Sequence, residues 1–165
     1  VVVIGAGPIG CLHAQLAKVS GATKVILIDL SEERLKLAQR IEVDTYINAS
    51  REKPVKRVLE ETNGKGAEVI ITACPSPQAQ EEALLMSKIR GRISFFGGLP
   101  KESSVISIDS NIIHYKEISV FGAFASNRKE YLEAANLISQ RKIKTEKFIT
   151  EVLPLRKKAV IEIKK

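Results

Sequence analysis

The chain has 165 residues, a formal net charge of +7, 44% hydrophobic content and 27% charged content. That is enough for one domain with a proper core, and the composition is that of an ordinary globular protein rather than a disordered or low-complexity chain. No apolar run approaches the roughly 20 residues needed to span a bilayer, so no membrane partner is expected.

The first element is an apolar strand that ends in glycines, Val1-Val2-Val3-Ile4-Gly5-Ala6-Gly7-Pro8-Ile9-Gly10. Gly5, Gly7 and Gly10 match the G-x-G-x-x-G spacing of a dinucleotide-binding turn. In such a turn the first glycine permits the tight bend and the second admits the cofactor pyrophosphate. The third lets the helix approach the strand. The helix start then offers free N–H groups and a favourable dipole to the phosphates. Pro8 suits the first helical position, where its missing N–H is no loss. Ile9, Leu12, Leu16 and Val19 recur at helical spacing as one apolar stripe, and Gly21 ends the helix. Lys24 to Asp29 reads as a buried strand with an acid at its carboxyl end. Asp29 stands about 20 residues beyond Gly10, where a carboxylate can accept hydrogen bonds from the adenosine ribose. Its competing role, capping the next helix, is already filled by Ser31.

The remainder alternates helix and strand. A helix is expected over Ser31–Arg40, a strand over Thr45–Asn48, and a helix over Pro54–Thr62 that stops at Asn63-Gly64. A strand follows at Ala67–Thr72. Ser76 caps and Pro77 opens a helix to about Lys88. Gly91–Phe96 is a strand leading into Gly97-Gly98, and Val105–Ile108 alternates like a short strand. Ser110–Tyr115 is a short helix and Ile118–Phe121 a strand. Asn127 and Glu130 form a capping-box pair for a last long helix, with Tyr131, Ala134, Ala135 and Ile138 as its core face. The fold class expected is α/β: a doubly wound, mostly parallel six-stranded sheet of Rossmann type, ordered 3-2-1-4-5-6. Ligands then bind beyond the carboxyl ends of the strands. The turns there are Gly5 to Ile9, Asp29-Leu30, Ala73 to Ser76, Gly97 to Leu99, and Phe121 to Phe124.

The two cysteines, Cys11 and Cys74, lack metal-ligand spacing and read as free thiols in a reducing, cytoplasmic setting. His13 and His114 are isolated. From Arg141 onward nine basic residues face three acids, which supplies +6 of the net charge. Without interleaved aromatics or a binding motif, that stretch reads as solvated surface, and no nucleic-acid partner is expected. The start within a strand and without Met points to a piece of a longer chain.

Gly5-Ala6-Gly7-Pro8-Ile9-Gly10, Asp29 with Arg34, Phe96-Gly97-Gly98-Leu99-Pro100 and Ser119-Val120-Phe121-Gly122 resemble the coenzyme domain of the medium-chain, zinc-type alcohol and sorbitol dehydrogenases. The resemblance runs through nearly the whole chain. It implies a dinucleotide-binding domain over residues 1–147, and over 148–165 a remnant of the carboxyl-terminal segment of the catalytic domain. It also implies that Gly5 to Gly10 meet pyrophosphate through the backbone, with Ile9 near the nicotinamide. Asp29 would bind the ribose, with Leu30 and Arg34 beside it. Ala73 and Cys74 would line the adenine side, and Gly97, Leu99, Ser119 and Phe121 would lie near the nicotinamide.

The implied cofactor is NAD, the implied substrate of the complete enzyme a small alcohol or polyol, and zinc belongs to the complete enzyme only. The family's zinc ligands and proton relay lie in an amino-terminal catalytic domain that this sequence does not contain. No catalytic or metal-binding residue is therefore assigned to this chain, which alone is expected to be inactive. The sequence also departs from the family where only Arg156, Lys157 and Lys158 replace a helix between Leu155 and Ala159, and where Ile41 to Asp44 replaces a helix-ending glycine. A homo-oligomer paired through Val105–Ile108 is expected, in the place where the family extends its sheet between subunits. Two alternatives remain: a stand-alone, non-catalytic NAD-binding module, and an FAD-binding domain. The second is weakened by Asp at position 29 and by the lack of a later Gly-Asp pair. A short-chain dehydrogenase is disfavoured because no Tyr-x-x-x-Lys pair occurs.

Overall fold

The computed structural model describes residues 1–154. The closing segments read at Leu155 and Ala159 to Ile163 lie outside the described residues. The chain runs β1 (Val2–Ile4), α1 (Pro8–Val19), β2 (Ile26–Asp29), α2 (Glu32–Ala38), β3 (Thr45–Asn48) and α3 (Pro54–Glu61). It continues through β4 (Ala67–Thr72), α4 (Pro77–Met86), β5 (Ser87–Phe95), α5 (Ser110–Lys116), β6 (Ser119–Gly122) and α6 (Arg128–Ser139). The six strands form one sheet in the order β3-β2-β1-β4-β5-β6, with every neighbouring pair parallel. This is the doubly wound α/β architecture the sequence pattern implies.

The Val- and Ile-rich strands are buried on both faces, as parallel strands between helices must be. Val2, Ile4, Ile28, Ile47, Ile70 and Ile93 pack on one side with Val58 of α3 and Ala83, Leu84 and Met86 of α4. Val3, Val25 and Leu27 pack on the other with Cys11 and Ala14 of α1 and Leu35 and Ala38 of α2. Each large side chain so buried contributes about 1.5–3 kcal/mol. The register sets Ile4 level with Ile28 and Thr72, Asp29 with Asn48, and Phe95 with Thr72 and Gly122. The turns after these strands therefore open along one edge of the sheet.

Several local expectations are corrected. The buried residues of α1 are Gly10, Cys11, Ala14 and Gln15, while Ile9, Leu16 and Val19 are 52%, 41% and 39% exposed. Close approach to the strands selects the helix's small residues, and the larger apolar stripe turns outward. Helix α4 stops at Met86 rather than Lys88 because Ser87 already pairs with Ala67 in the sheet. Val105–Ile108 is not a strand. The outer edge of β5 is taken by β6, and the Ser107 N–H donates instead to Glu81 Oε1 at 2.8 Å. The capping box of α6 forms as expected, with Asn127 Oδ1 accepting from the Glu130 N–H and Glu130 Oε2 from the Asn127 N–H. However, no residue of α6 is buried, Tyr131 and Ile138 included. It follows the outermost strand, β6, whose four residues are themselves exposed, so no closed surface lies there to receive it.

Candidate cofactor-binding site

The site is built around the turn between β1 and α1. Gly5 has φ +112° and its N–H donates to the Ile28 carbonyl at 2.7 Å, tying the turn to β2. A Cβ on Gly10 would lie 1.7 Å from the Gly5 carbonyl oxygen, and one on Gly5 would lie 2.8 Å from the Ala73 oxygen. These two positions are closed by the protein's own backbone. Gly7 differs: nothing lies within 4 Å of the position its Cβ would take. It is also the N-cap of α1 and offers no side chain to the helix start, and Pro8 occupies the first turn. The N–H groups of Ile9 and Gly10 therefore have no partner within the helix. The turn presents bare donors and open space at one place, which is what an anionic group needs.

Asp29 closes the turn from the end of β2. Its Oδ2 accepts the Ala6 N–H at 2.6 Å and its Oδ1 accepts the Ser31 N–H at 2.8 Å. The side chain is only 7% exposed, and Arg34 Nη1 stands 4.0 Å from Oδ2 while itself 64% exposed. That separation and exposure make a weak pair. Ser31 caps α2, accepting the Arg34 N–H, so Asp29 joins two turns rather than capping a helix. Each carboxylate oxygen retains a lone pair for a further donor.

Asp29 forms part of the wall of a 340 Å³ cavity together with Gly5, Leu30, Arg34 and Cys74. Of the other candidate residues, Ala73 packs beneath the turn, its N–H donating to the Ile4 carbonyl at 2.7 Å, and does not line this cavity. Gly7, Pro8, Ile9 and Gly10 follow Gly5 at the start of α1 and do not line the cavity. Gly97 lies against Cys74, where a Cβ would come within 2.7 Å of the Cys74 oxygen. Leu99 is half-buried in the following loop, and Ser119 and Phe121 are exposed on β6. The cavity does not reach these last residues.

Sequence reasoning missed the far wall, made by Ala49, Pro54, Gln78 and Met86. Ala49 follows β3 at the same sheet edge and could have been found from that position. The others arrive with α3 and α4. It also missed Gln80, buried in α4, whose Nε2 donates to the Gly97 carbonyl at 3.2 Å and fixes that loop.

The thiols of Cys11 and Cys74 and the imidazole of His13 are held toward their neutral forms. Burial, and secondarily the Asp29 charge, push the Cys11 thiol up to about 11. The same two causes raise the Cys74 thiol. Burial lowers His13, whose ring stacks edge-on against Phe96 with centroids 4.5 Å apart. Among the described residues no group of three His, Cys, Asp or Glu side chains could hold a metal ion, and no helix is long and apolar enough to cross a membrane.

Fold, turn and acid together define a nucleotide-binding α/β domain. The family model for zinc-binding dehydrogenases matches residues 8–140, and the chain belongs to that family. It is 36% identical over 150 residues to an L-threonine 3-dehydrogenase of Thermococcus kodakarensis, covering 90% of this chain and 42% of that protein. Among solved structures, an alcohol dehydrogenase of E. coli CFT073 complexed with NADH superposes with TM-score 0.76 at 31% identity, over 88% of this chain and 42% of that one. A protein of Sinorhizobium meliloti 1021 described as a zinc-binding dehydrogenase, bound to NADP, gives TM-score 0.84 at 25% identity, over 90% and 44%. The chain thus spans less than half the length of these relatives.

Proposed function

We propose that this chain is the coenzyme-binding domain of a zinc-dependent alcohol or polyol dehydrogenase, that its cofactor is NAD, and that it orients the nicotinamide for hydride transfer. The observation that carries this reading is the open space at Gly7, at the uncapped start of α1, beside the buried carboxylate of Asp29. The residues fit the cofactor. The N–H groups of Ile9 and Gly10 would donate to the pyrophosphate, and the free lone pairs of Asp29 would accept from the ribose hydroxyls. The cavity between Leu30 and Cys74 would take the adenine. Gly97, Leu99, Ser119 and Phe121 would border the nicotinamide end. The chemistry supplied by NAD when bound is acceptance of hydride. The chain's own part is to bind, orient and exclude water. Among the described residues no group of three His, Cys, Asp or Glu side chains could hold zinc, whose role would belong to the complete enzyme. Subunit association through the exposed apolar residues of the 105–108 segment is part of the same reading.

The choice of NAD over NADP rests on charge. A 2′-phosphate beside Asp29 would meet a carboxylate, with Arg34 alone and largely exposed to offset it. Fluorescence titration of the unmutated chain should give tighter binding for NADH than for NADPH. Tighter NADPH overturns the cofactor assignment, and no binding of either overturns the whole reading.

A further inference from the structure

A second polar cavity lies along α1, away from the glycine-rich turn. Gln15 is seven residues beyond Pro8, roughly 10 Å along the helix axis. It is only 8% exposed. Its Oε1 accepts the Lys144 N–H at 3.0 Å, across 129 residues of chain. That bond fixes which way the amide faces, and it leaves Nε2 buried with no hydrogen-bond partner. A buried donor without an acceptor is rare in native proteins and is usually met by an ordered water or an ion.

Gln15 lines a cavity of 240 Å³ whose charged walls are Lys18, Lys142, Lys144, Lys147 and Glu42. Lys18 is paired with Asp44, and Lys147 Nζ donates to the Arg40 carbonyl. Among the described residues, Lys142 and Lys144 form no ion pair. Cations therefore outnumber the single lining acid, and a donor waits among them. This is also where the basic stretch that begins at Arg141 meets the folded domain.

We propose that this cavity is a binding site for a phosphate-class oxyanion, with Gln15 Nε2 as the buried donor and Lys142 and Lys144 supplying the charge. The site is independent of the cofactor turn. Several donors converging on one oxyanion make charge-assisted bonds, which are the strong ones. The cavity admits either free inorganic phosphate or the phosphate of a small phosphomonoester.

The test is a calorimetric titration of the 165-residue chain with inorganic phosphate and, separately, with glycerol phosphate. Three forms are compared: unmutated, Gly7→Val, which blocks the glycine-rich turn, and Gln15→Glu. The last keeps an acceptor for the Lys144 N–H while replacing the donor by a negative charge. Saturable binding of either probe should persist in Gly7→Val and weaken about tenfold or more in Gln15→Glu. Saturation by inorganic phosphate identifies the free anion as ligand, and saturation by the ester alone identifies a phosphomonoester. Circular dichroism checks that Gln15→Glu is folded. If it is not, Lys142→Glu takes its place, with the same loss expected. No saturable binding of either probe overturns the proposal, as does binding that is lost in Gly7→Val but unchanged in Gln15→Glu or Lys142→Glu.

Discussion

Three glycines of one turn meet three different surroundings. The Cβ position of Gly10 falls on the Gly5 oxygen and that of Gly5 near the Ala73 oxygen, whereas that of Gly7 faces nothing. Gly10→Ala should therefore act on the fold, because the clash is with backbone that cannot swing away. Overpacking of this kind costs about 1–3 kcal/mol or more, and a lowered thermal midpoint measures it. On the proposed reading Asp29 serves both the fold and the cofactor. Its carboxylate holds the Ala6 and Ser31 N–H groups and retains lone pairs for a ribose. A hydrogen bond to a charged group is worth about 1.5–3 kcal/mol, so Asp29→Ala should weaken NAD roughly 10- to 100-fold and narrow the gap to NADP. Direct titration of both nucleotides checks this. Unchanged NAD affinity would move the ribose away from Asp29.

At the scale of elements, local signals were read well where they act locally. Ser31 and Ser76 cap helices, Pro54 and Pro77 open them, and the Asn127–Glu130 box forms. The face a helix buries was harder to read. In α1 the apolar stripe pointed to the wrong side, since the approach of Gly10 to Gly5 outweighs the larger residues. In α6 the apolar residues have the right spacing and no surface beneath them. Apolar alternation at Val105–Ile108 likewise needs a strand edge to pair with, and the outer edge of β5 is already taken by β6. The exposure of α6 makes a prediction of its own. Asn127→Ala removes a cap worth about 1 kcal/mol, and hydrogen exchange should quicken across α6 while β1 and β4 stay as protected as before. Loss of protection in the central strands as well would show that α6 supports the core.

For the whole molecule, strand–helix alternation and the right-handed crossover rule were enough to give the sheet order. The near wall of the cavity was legible because the turns after β1, β2 and β4 come together in any sheet of this order. Pro54, Gln78 and Gln80 were not, since α3 and α4 bring them there only once packed. The folded state also sets a pH limit. Burial holds His13 below its usual 6.5. The unfolded chain then takes up this proton first, so the stability contributed by the neutral His13 imidazole is complete above about pH 6.5 and declines as pH falls below it. Urea midpoints near pH 7.5 and pH 5.5 should differ more in the unmutated chain than in His13→Leu. Equal differences would assign the decline to other groups.

The open space at Gly7 is where the proposed function seats the cofactor pyrophosphate. Calorimetric titration of NAD into the unmutated chain and into Gly7→Val tests this placement most directly. The added side chain would point into space that is empty in the protein itself, so the variant should fold with an unchanged thermal midpoint. One saturable NAD site should be present in the unmutated chain and absent in a folded Gly7→Val. Equal NAD affinity in the two would contradict the assignment of this turn as the cofactor site.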